Sequence, residues 1–245
     1  ADVLAMITTT LDAMAAGGIY DHVGGGFARY STDALWLVPH FEKMLYDQAL
    51  LVGAYLRAFL VTGEARYRRV VEDTIGYVQR DLGDARGGFF SAEDADSEGI
   101  EGKFYLWSVD EIREVCGTDA DATIEYFGVT AGGNFTDPHT GYSGNILHAV
   151  DRTTEPPADV ARALRALFER RTRRIRPALD DKVLLAWNAL FTRSLAEAAG
   201  ALEREDWMEA ARRNAQFLLE TLRRQDGRLL RSWQPEGGAR HLAYA

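Results

Sequence analysis

Two imidazoles and a set of carboxylates are the side chains of this sequence best suited to move protons. His22 lies in Gly17–Gly26, GGIYDHVGGG, with Asp21 beside it, and five glycines in those ten residues let the backbone approach a ligand closely. His40 lies in Arg29–Asp47, RYSTDALWLVPHFEKMLYD, followed by Glu42, Lys43 and Asp47. An imidazole titrates near neutrality and can give or take a proton there. Glu93 and Asp94 fall in Ser91–Gly102, SAEDADSEGIEG, and Asp180 and Asp181 in Arg176–Asn188, RPALDDKVLLAWN. Trp36 and Trp187 offer flat rings of the kind that stack on a sugar, and Asn188 follows the second.

These residue types could serve carbohydrate chemistry, or equally a strained connection at Gly17–Gly26, ion pairs around Lys43, a solvated turn at Glu93–Asp96 and core packing of Trp187. Paired carboxyl groups across a cleft would hydrolyse a glycosidic bond. An acid and a base on opposite ring faces would instead epimerise or isomerise a sugar, with His22 and His40 the available imidazoles. Proton transfer is assigned to His40 with a carboxylate from Asp21 or Asp181. His22, Trp36, Glu42, Glu93, Asp94, Asp180, Trp187 and Asn188 are expected to bind substrate. A non-catalytic sugar-binding or protein-interaction module would use the same aromatic and acidic groups.

Other chemistries fit less well. Asp94, Asp96, Glu98 and Gly99 match positions one, three, five and six of a calcium loop, but Tyr105 stands at the closing glutamate position. His40-x-Glu42 lacks the spacing of a zinc protease. Gly24 and Gly26 begin a dinucleotide fingerprint that Arg29 breaks, and no P-loop or Gly-x-Ser-x-Gly elbow occurs. No metal and no cofactor is expected.

Helices must position these groups. Apolar residues recur at three and four over Val3–Ala16, Phe41–Val61, Tyr67–Val78, Val160–Phe168, Val183–Leu195 and Trp207–Leu222, with weaker segments at Val109–Val115 and Ala120–Phe127. Thr62-Gly63 and Gly200 separate neighbours as helical hairpins. Pro39 can open one helix, which places His40, Glu42, Lys43 and Asp47 in its first turns. Asp180 or Asp181 can cap another that begins at Lys182. Long loops at Gly17–Pro39, Gly83–Leu106, Gly132–Leu147 and Asp226–Ala245 contain pairs such as Phe89-Phe90 and Phe104-Tyr105 that read as small hairpins. Helical hairpins with elaborate loops suggest an all-α fold of the α/α-toroid type, with an irregular helical bundle as the alternative, one domain over residues 1–245. In such a fold alternate connections fall at one end, so GGIYDHVGGG, VPHFEK, AEDADSEG and LDDK would meet at one cleft mouth.

Composition narrows the partners. The chain has 245 residues, 47% hydrophobic and 27% charged, enough for a sizeable core. A formal charge of −9 disfavours nucleic acid. The arginines of Arg162–Arg176 read as a solvated face and helix-end charge. The one cysteine, Cys116, excludes an internal disulfide, and nearby Glu111 and Glu114 disfavour its thiolate. No apolar run is long enough to span a bilayer and no basic signal opens the chain, so a cytoplasmic setting without membrane contact is expected.

GGIYDHVGGGFARYSTDALWLVPHFEKMLYDQALL, GGFFSAEDADSEG, GNILHAV and RPALDDKVLLAWNAL together resemble the thioredoxin-domain-containing proteins of the spermatogenesis-associated, YyaL type. The resemblance covers most of the chain. It implies a helical toroid akin to six-hairpin glycosidases and N-acylglucosamine 2-epimerases, preceded in relatives by a thioredoxin-like domain absent from this sequence. The chain starts just ahead of GGIYD and ends at HLAYA, where relatives show Leu-Glu-Asp-Tyr-Ala, the pattern of a middle fragment or a shortened relative.

Six hairpins take twelve helices, whereas periodicity supports about seven or eight. An open ring would expose apolar helix stripes. Self-association, or coverage by a further segment, is therefore expected, and a monomer in sedimentation velocity with every helix stripe covered would contradict it.

Overall fold

The computed structural model describes residues 2–150 and 155–243. Tyr244 and Ala245 of the HLAYA ending lie outside them. The helices are α1 (Asp2–Ala16), α2 (Leu45–Thr62), α3 (Ala65–Asp81), α4 (Val109–Cys116), α5 (Ala120–Tyr126), α6 (Ala158–Arg171), α7 (Leu185–Ala201) and α8 (Glu205–Leu222). Short strands punctuate the loops: β1 (Tyr30–Ser31), β2 (Pro39–His40), β3 (Lys43–Met44), β4 (Ala92–Glu93), β5 (Asp96–Ser97), β6 (Ile100–Glu101), β7 (Phe135–Thr136), β8 (Ser143–Gly144), β9 (Leu179–Asp180), β10 (Val183–Leu184), β11 (Leu230–Gln234) and β12 (Gly238–Leu242). Among the described residues no helix is long and apolar enough to cross a membrane.

The chain forms two compact units, residues 1–42 with 94–178 and residues 43–93 with 179–245. In the second unit α3, α2, α7 and α8 pack side by side in that order. Their periodic faces bury Leu45, Val52, Tyr55, Val71, Ile75, Phe191, Leu195 and Leu222. Each such side chain contributes about 1.5–3 kcal/mol of burial free energy. Ser194 Oγ donates to Ala49 O at 2.7 Å and ties α7 to α2. Gly63, in the left-handed region at φ 73°, closes α2 by donating to Phe59 O.

Two helix starts differ from expectation. Pro39 and His40 are paired with Ser31 and Tyr30, Lys43 and Met44 with Glu93 and Ala92, and α2 begins only at Leu45. Asp180 pairs with Ala92, while Val183 and Leu184 pair with Trp233 and Ser232, so α7 begins at Leu185 and neither aspartate caps it. In both places ladder bonds to distant segments override the local helical period. Phe104-Tyr105 also departs, forming a turn with Tyr105 N bonded to Gly102 O.

The first unit has two apolar clusters. One joins Trp107, Ile112, Phe127, Val160 and Leu167 from α4–α6 and their flanks. The other joins Phe41, Phe104, Tyr105, Leu106 and Ile146. Cys116 ends α4, and burial, followed by the Asp119 charge, pushes its thiol up to about 11. It is protonated at neutral pH, for a reason other than the glutamates.

The arginine-rich segment is partly interior. Both Arg171 Nη atoms donate to Asp21 at 2.8 Å, with both side chains over nine-tenths buried. Asp21 Oδ1 also accepts from Val23 N and Gly24 N at 3.0 Å. A side chain at Gly24 would collide with the Arg171 guanidinium, which explains one glycine of the loop. Arg174 donates to Phe104 O, Leu106 O and Glu111, and stacks 3.8 Å over the Trp107 ring.

One loop sets the position of His40. Residues 32–38 fold around Asp33, whose carboxylate accepts from the N–H groups of Leu35, Leu37 and Val38. Burial pushes the Asp33 carboxyl up, but these donors outweigh it and hold it below its ordinary 3.8. Trp36 takes a left-handed φ of 63° in this loop. Gly17 and Gly18 lack side chains where Trp36 O and Leu37 O approach them.

Two outcomes are expected. Arg171→Met strands a buried carboxylate and should lower urea stability by about 3–5 kcal/mol, with Asp21→Asn added restoring part of it. A loss below about 1 kcal/mol would contradict the interior pairing. Because the folded Asp33 pKa lies below the unfolded value, its stabilisation is complete above 3.8 and is lost as pH falls through the folded pKa. Protection factors of the Leu35, Leu37 and Val38 amides should therefore fall in acid, and Asp33→Ala should lower them at neutral pH.

Candidate functional site

His40 ends the two-residue ladder β1–β2. Its Nδ1 lies 2.8 Å from Glu101 Oε1. A carboxylate can only accept, so Nδ1–H donates and the neutral ring keeps its lone pair on Nε2. Nε2 is 3.7 Å from Glu42 Oε2, longer than a hydrogen bond. Glu42 Oε2 instead accepts from Arg29 Nη1 at 2.9 Å. Tyr30 stacks on the imidazole with centroids 5.1 Å apart and planes 29° apart. His40, Glu101 and Glu42 side chains are 29%, 33% and 25% exposed, sheltered yet reachable.

Glu101 is held by the hairpin β5–β6. Glu98 and Gly99 at φ 55° and 74° form its two-residue turn, which pairs Asp96 with Glu101 and Ser97 with Ile100. Glu101 Oε1 also accepts from Phe41 N at 3.4 Å. The segment read as a partial calcium loop is thus a β-hairpin, with Glu98 paired to Lys103 at 2.7 Å. Among the described residues no group of three His, Cys, Asp or Glu side chains is arranged to hold a metal ion. Burial, then the charges of Asp94, Glu101 and Asp137, push the Asp96 carboxyl up, while His40 pulls the other way. Asp94 itself is exposed and accepts from Ala95 N at 2.7 Å.

The remaining candidates divide between the units. In the first, Asp21 holds Arg171, and His22 Nε2 is 3.0 Å from Gly17 O with its ring edge-on to Tyr20 and Phe127. Half-buried Trp36 gives its carbonyl to Ile19 N at 3.2 Å. In the second, Glu93 is 2% exposed and accepts from Tyr77 Oη at 3.0 Å, beneath a Lys43 ammonium 4.3 Å over the Tyr77 ring. Asp180 binds Lys182 Nζ through both oxygens at 2.7 Å, and Asp181 accepts from Gln234 at 3.0 Å. Trp187 packs against Tyr46 with centroids 4.8 Å apart. Asn188 is fully buried, exchanging hydrogen bonds with Phe89 N and O.

Within the first unit the structure therefore joins His40 and Glu42 to Glu101 and Tyr30, with Asp96 across the hairpin from Glu101 and Asp94 acting on Asp96 only through its charge. Sequence reasoning missed Glu101 as the partner of His40. The readable signal was the Glu98-Gly99 turn, which places Asp96 opposite Glu101.

No family model matches the chain. It is 39% identical over 244 residues to spermatogenesis-associated protein 20 of Homo sapiens, an alignment covering 87% of this chain and 31% of that protein. The chain spans about a third of the length of the curated relatives it matches. Among solved structures, a D-mannose isomerase is similar over 96% of this chain and 56% of its own, at 12% identity and a TM-score of 0.33. A cellobiose 2-epimerase from Spirochaeta thermophila is similar over 96% of this chain and 72% of its own, at 13% identity and a TM-score of 0.30.

Proposed function

We propose that the chain carries a one-base proton-transfer site for a neutral, hydroxyl-rich substrate, with aldose–ketose isomerisation of an open-chain sugar as its reaction. The observation that carries this reading is the 2.8 Å contact between His40 Nδ1 and Glu101. It fixes the tautomer, orients the ring and stabilises the imidazolium that forms when Nε2 takes a proton. Nε2 removes the proton from the carbon beside the carbonyl and returns it to the neighbouring carbon.

Three features narrow the chemistry. His22 Nε2 lies against the Gly17 carbonyl, so a shift on one face of the substrate suits the site better than an epimerisation that needs a second base opposite. Glycoside hydrolysis would be led by two carboxyl groups, whereas here a carboxylate supports an imidazole. Asp94, Asp96, Glu101 and Glu42 oppose phosphate or carboxylate on the substrate and favour hydroxyl groups, which can donate to them. The reading uses residues of the first unit alone.

The test incubates the full chain in D₂O with aldoses, N-acyl hexosamines and aryl glycosides and follows products by NMR. Expected are a ketose and deuterium at the carbon beside the carbonyl. His40→Ala should lower the rate about 100-fold or more with the circular dichroism spectrum unchanged. Aryl alcohol release without exchange would replace this reading with a hydrolase. Saturable sugar binding without exchange would replace it with a binding module.

A further inference from the structure

We infer that Arg29 is a catalytic residue of this site, the cation that meets the negative charge developing on the substrate oxygen while His40 takes the carbon-bound proton. The inference rests on the proton-transfer reading above and adds a residue to it.

The contacts place Arg29 beside the reacting nitrogen. Its Nη1 donates to Glu42 Oε2 at 2.9 Å, and that same oxygen lies 3.7 Å from His40 Nε2. Arg29 Nη1 is therefore no farther from Nε2 than those two spans laid end to end. A substrate carbon that gives its proton to Nε2 sits about 3 Å from it, and the neighbouring carbonyl oxygen lies about 2.4 Å further on. A hydrogen bond of about 2.9 Å from the guanidinium closes that path. One open-chain sugar can thus touch the base and the cation together.

The backbone explains the approach. Tyr30 pairs with His40 and Ser31 with Pro39, whereas Arg29 N donates to Glu42 O at 2.7 Å, one residue out of that register. Phe41 and Glu42 together oppose Arg29, the arrangement of a β-bulge, which bends a strand and re-aims a side chain. Phe41 joins the apolar cluster, and Glu42 turns to Arg29 and His40.

An arginine suits the task. A guanidinium stays charged at any working pH and carries five N–H donors in a rigid fork, of which an oxyanion needs one. The other charged groups around His40 are Glu101, Asp94 and Asp96, acids that would repel such an anion. The Arg29 and Glu42 side chains are 43% and 25% exposed, so a ligand can reach the pair. An ion pair so open to water adds little to stability, and a role in the fold alone predicts a small effect of its removal.

Protons and electrons balance without a second acid. The C2–H bond breaks, its proton goes to His40 Nε2, and its electron pair becomes the C1=C2 double bond. The carbonyl π pair moves onto O1, where Arg29 donates a hydrogen bond to the anion. In the cis enediolate O1 and O2 are neighbours, and the O2 proton passes to O1. The charge left on O2 becomes the C2=O2 bond as the C1=C2 pair takes the His40 proton at C1. Arg29 keeps its protons throughout, and His40 ends neutral as it began.

The experiment compares wild type, His40→Ala, Arg29→Ala, Arg29→Lys and Arg29→Gln in the isomerisation of D-glucose, D-mannose and other aldoses. Loss of one oxyanion donor lowers kcat about 100- to 1000-fold, and Arg29→Ala is expected in that range with KM little changed. Arg29→Lys should recover part of kcat, because the charge returns without the fork. Guanidinium chloride at millimolar concentration should raise the Arg29→Ala rate and leave His40→Ala unchanged, a response that a merely structural arginine would not give. Arg29→Gln can still donate to Glu42, and it replaces the alanine variant if circular dichroism shows that variant unfolded. An active wild type, an inactive His40→Ala and an Arg29 variant within about threefold of wild type would overturn Arg29 as the cation and leave the isomerase reading standing. A raised KM at unchanged kcat would overturn it as well, since that loss is one of ground-state binding. A wild type inactive on every aldose would overturn both.

Discussion

Backbone buried outside regular structure must find hydrogen bonds from side chains, and much of this architecture answers that demand. A buried donor or acceptor left unmet costs about 1–3 kcal/mol. In the first unit Asn145 bonds Trp107 O, Thr130 O and Thr130 N, and Asn134 bonds Ile146 through both its amide atoms. Arg174 serves the carbonyls of Phe104 and Leu106, and Asp33 serves three amides of residues 35–38. In the second unit Asn188 closes on Phe89 and Asn214 on Gly87 O. These loops are therefore tied down by buried side chains that meet their backbone groups.

That firmness matters for His40. An imidazole on a mobile loop would sample rotamers, and its productive fraction would fall accordingly. Here the Glu101 bond fixes the ring on one edge and the Tyr30 stack fixes its plane. Glu42 stands 3.7 Å from the outer nitrogen, beyond hydrogen-bond distance, and accepts from Arg29 instead.

The long helices α2, α3, α7 and α8 were legible because each buries a periodic face and tertiary packing agrees with the local period, whereas Val3, Leu4, Met6 and Ile7 of α1 are exposed. The starts of α2 and α7 were not legible. A two-residue strand such as Pro39–His40 or Val183–Leu184 carries almost no signal of its own, and its partners lie many residues away. Likewise, nothing local distinguishes Arg171, buried on Asp21, from the exposed arginines beside it. His40 and Glu42 could be picked out as chemistry, but the partner of His40 depended on a hairpin register. The acids Asp94, Asp96 and Glu98 matched only the first half of a cation loop, and the turn at Glu98-Gly99 makes the segment a hairpin instead.

That turn links fold to chemistry most directly. Glu98 holds a left-handed conformation uncommon for a non-glycine residue, and Gly99 holds one natural to it. Two consecutive positive φ values make a turn whose twist suits the hairpin, and they fix the register at one value. A slip of one residue would send the Glu101 side chain to the opposite face, because side chains alternate. His40 would then lose the contact that sets its tautomer, with every helix of the unit still in place. The site therefore depends on the conformation of two residues that touch none of its reacting groups.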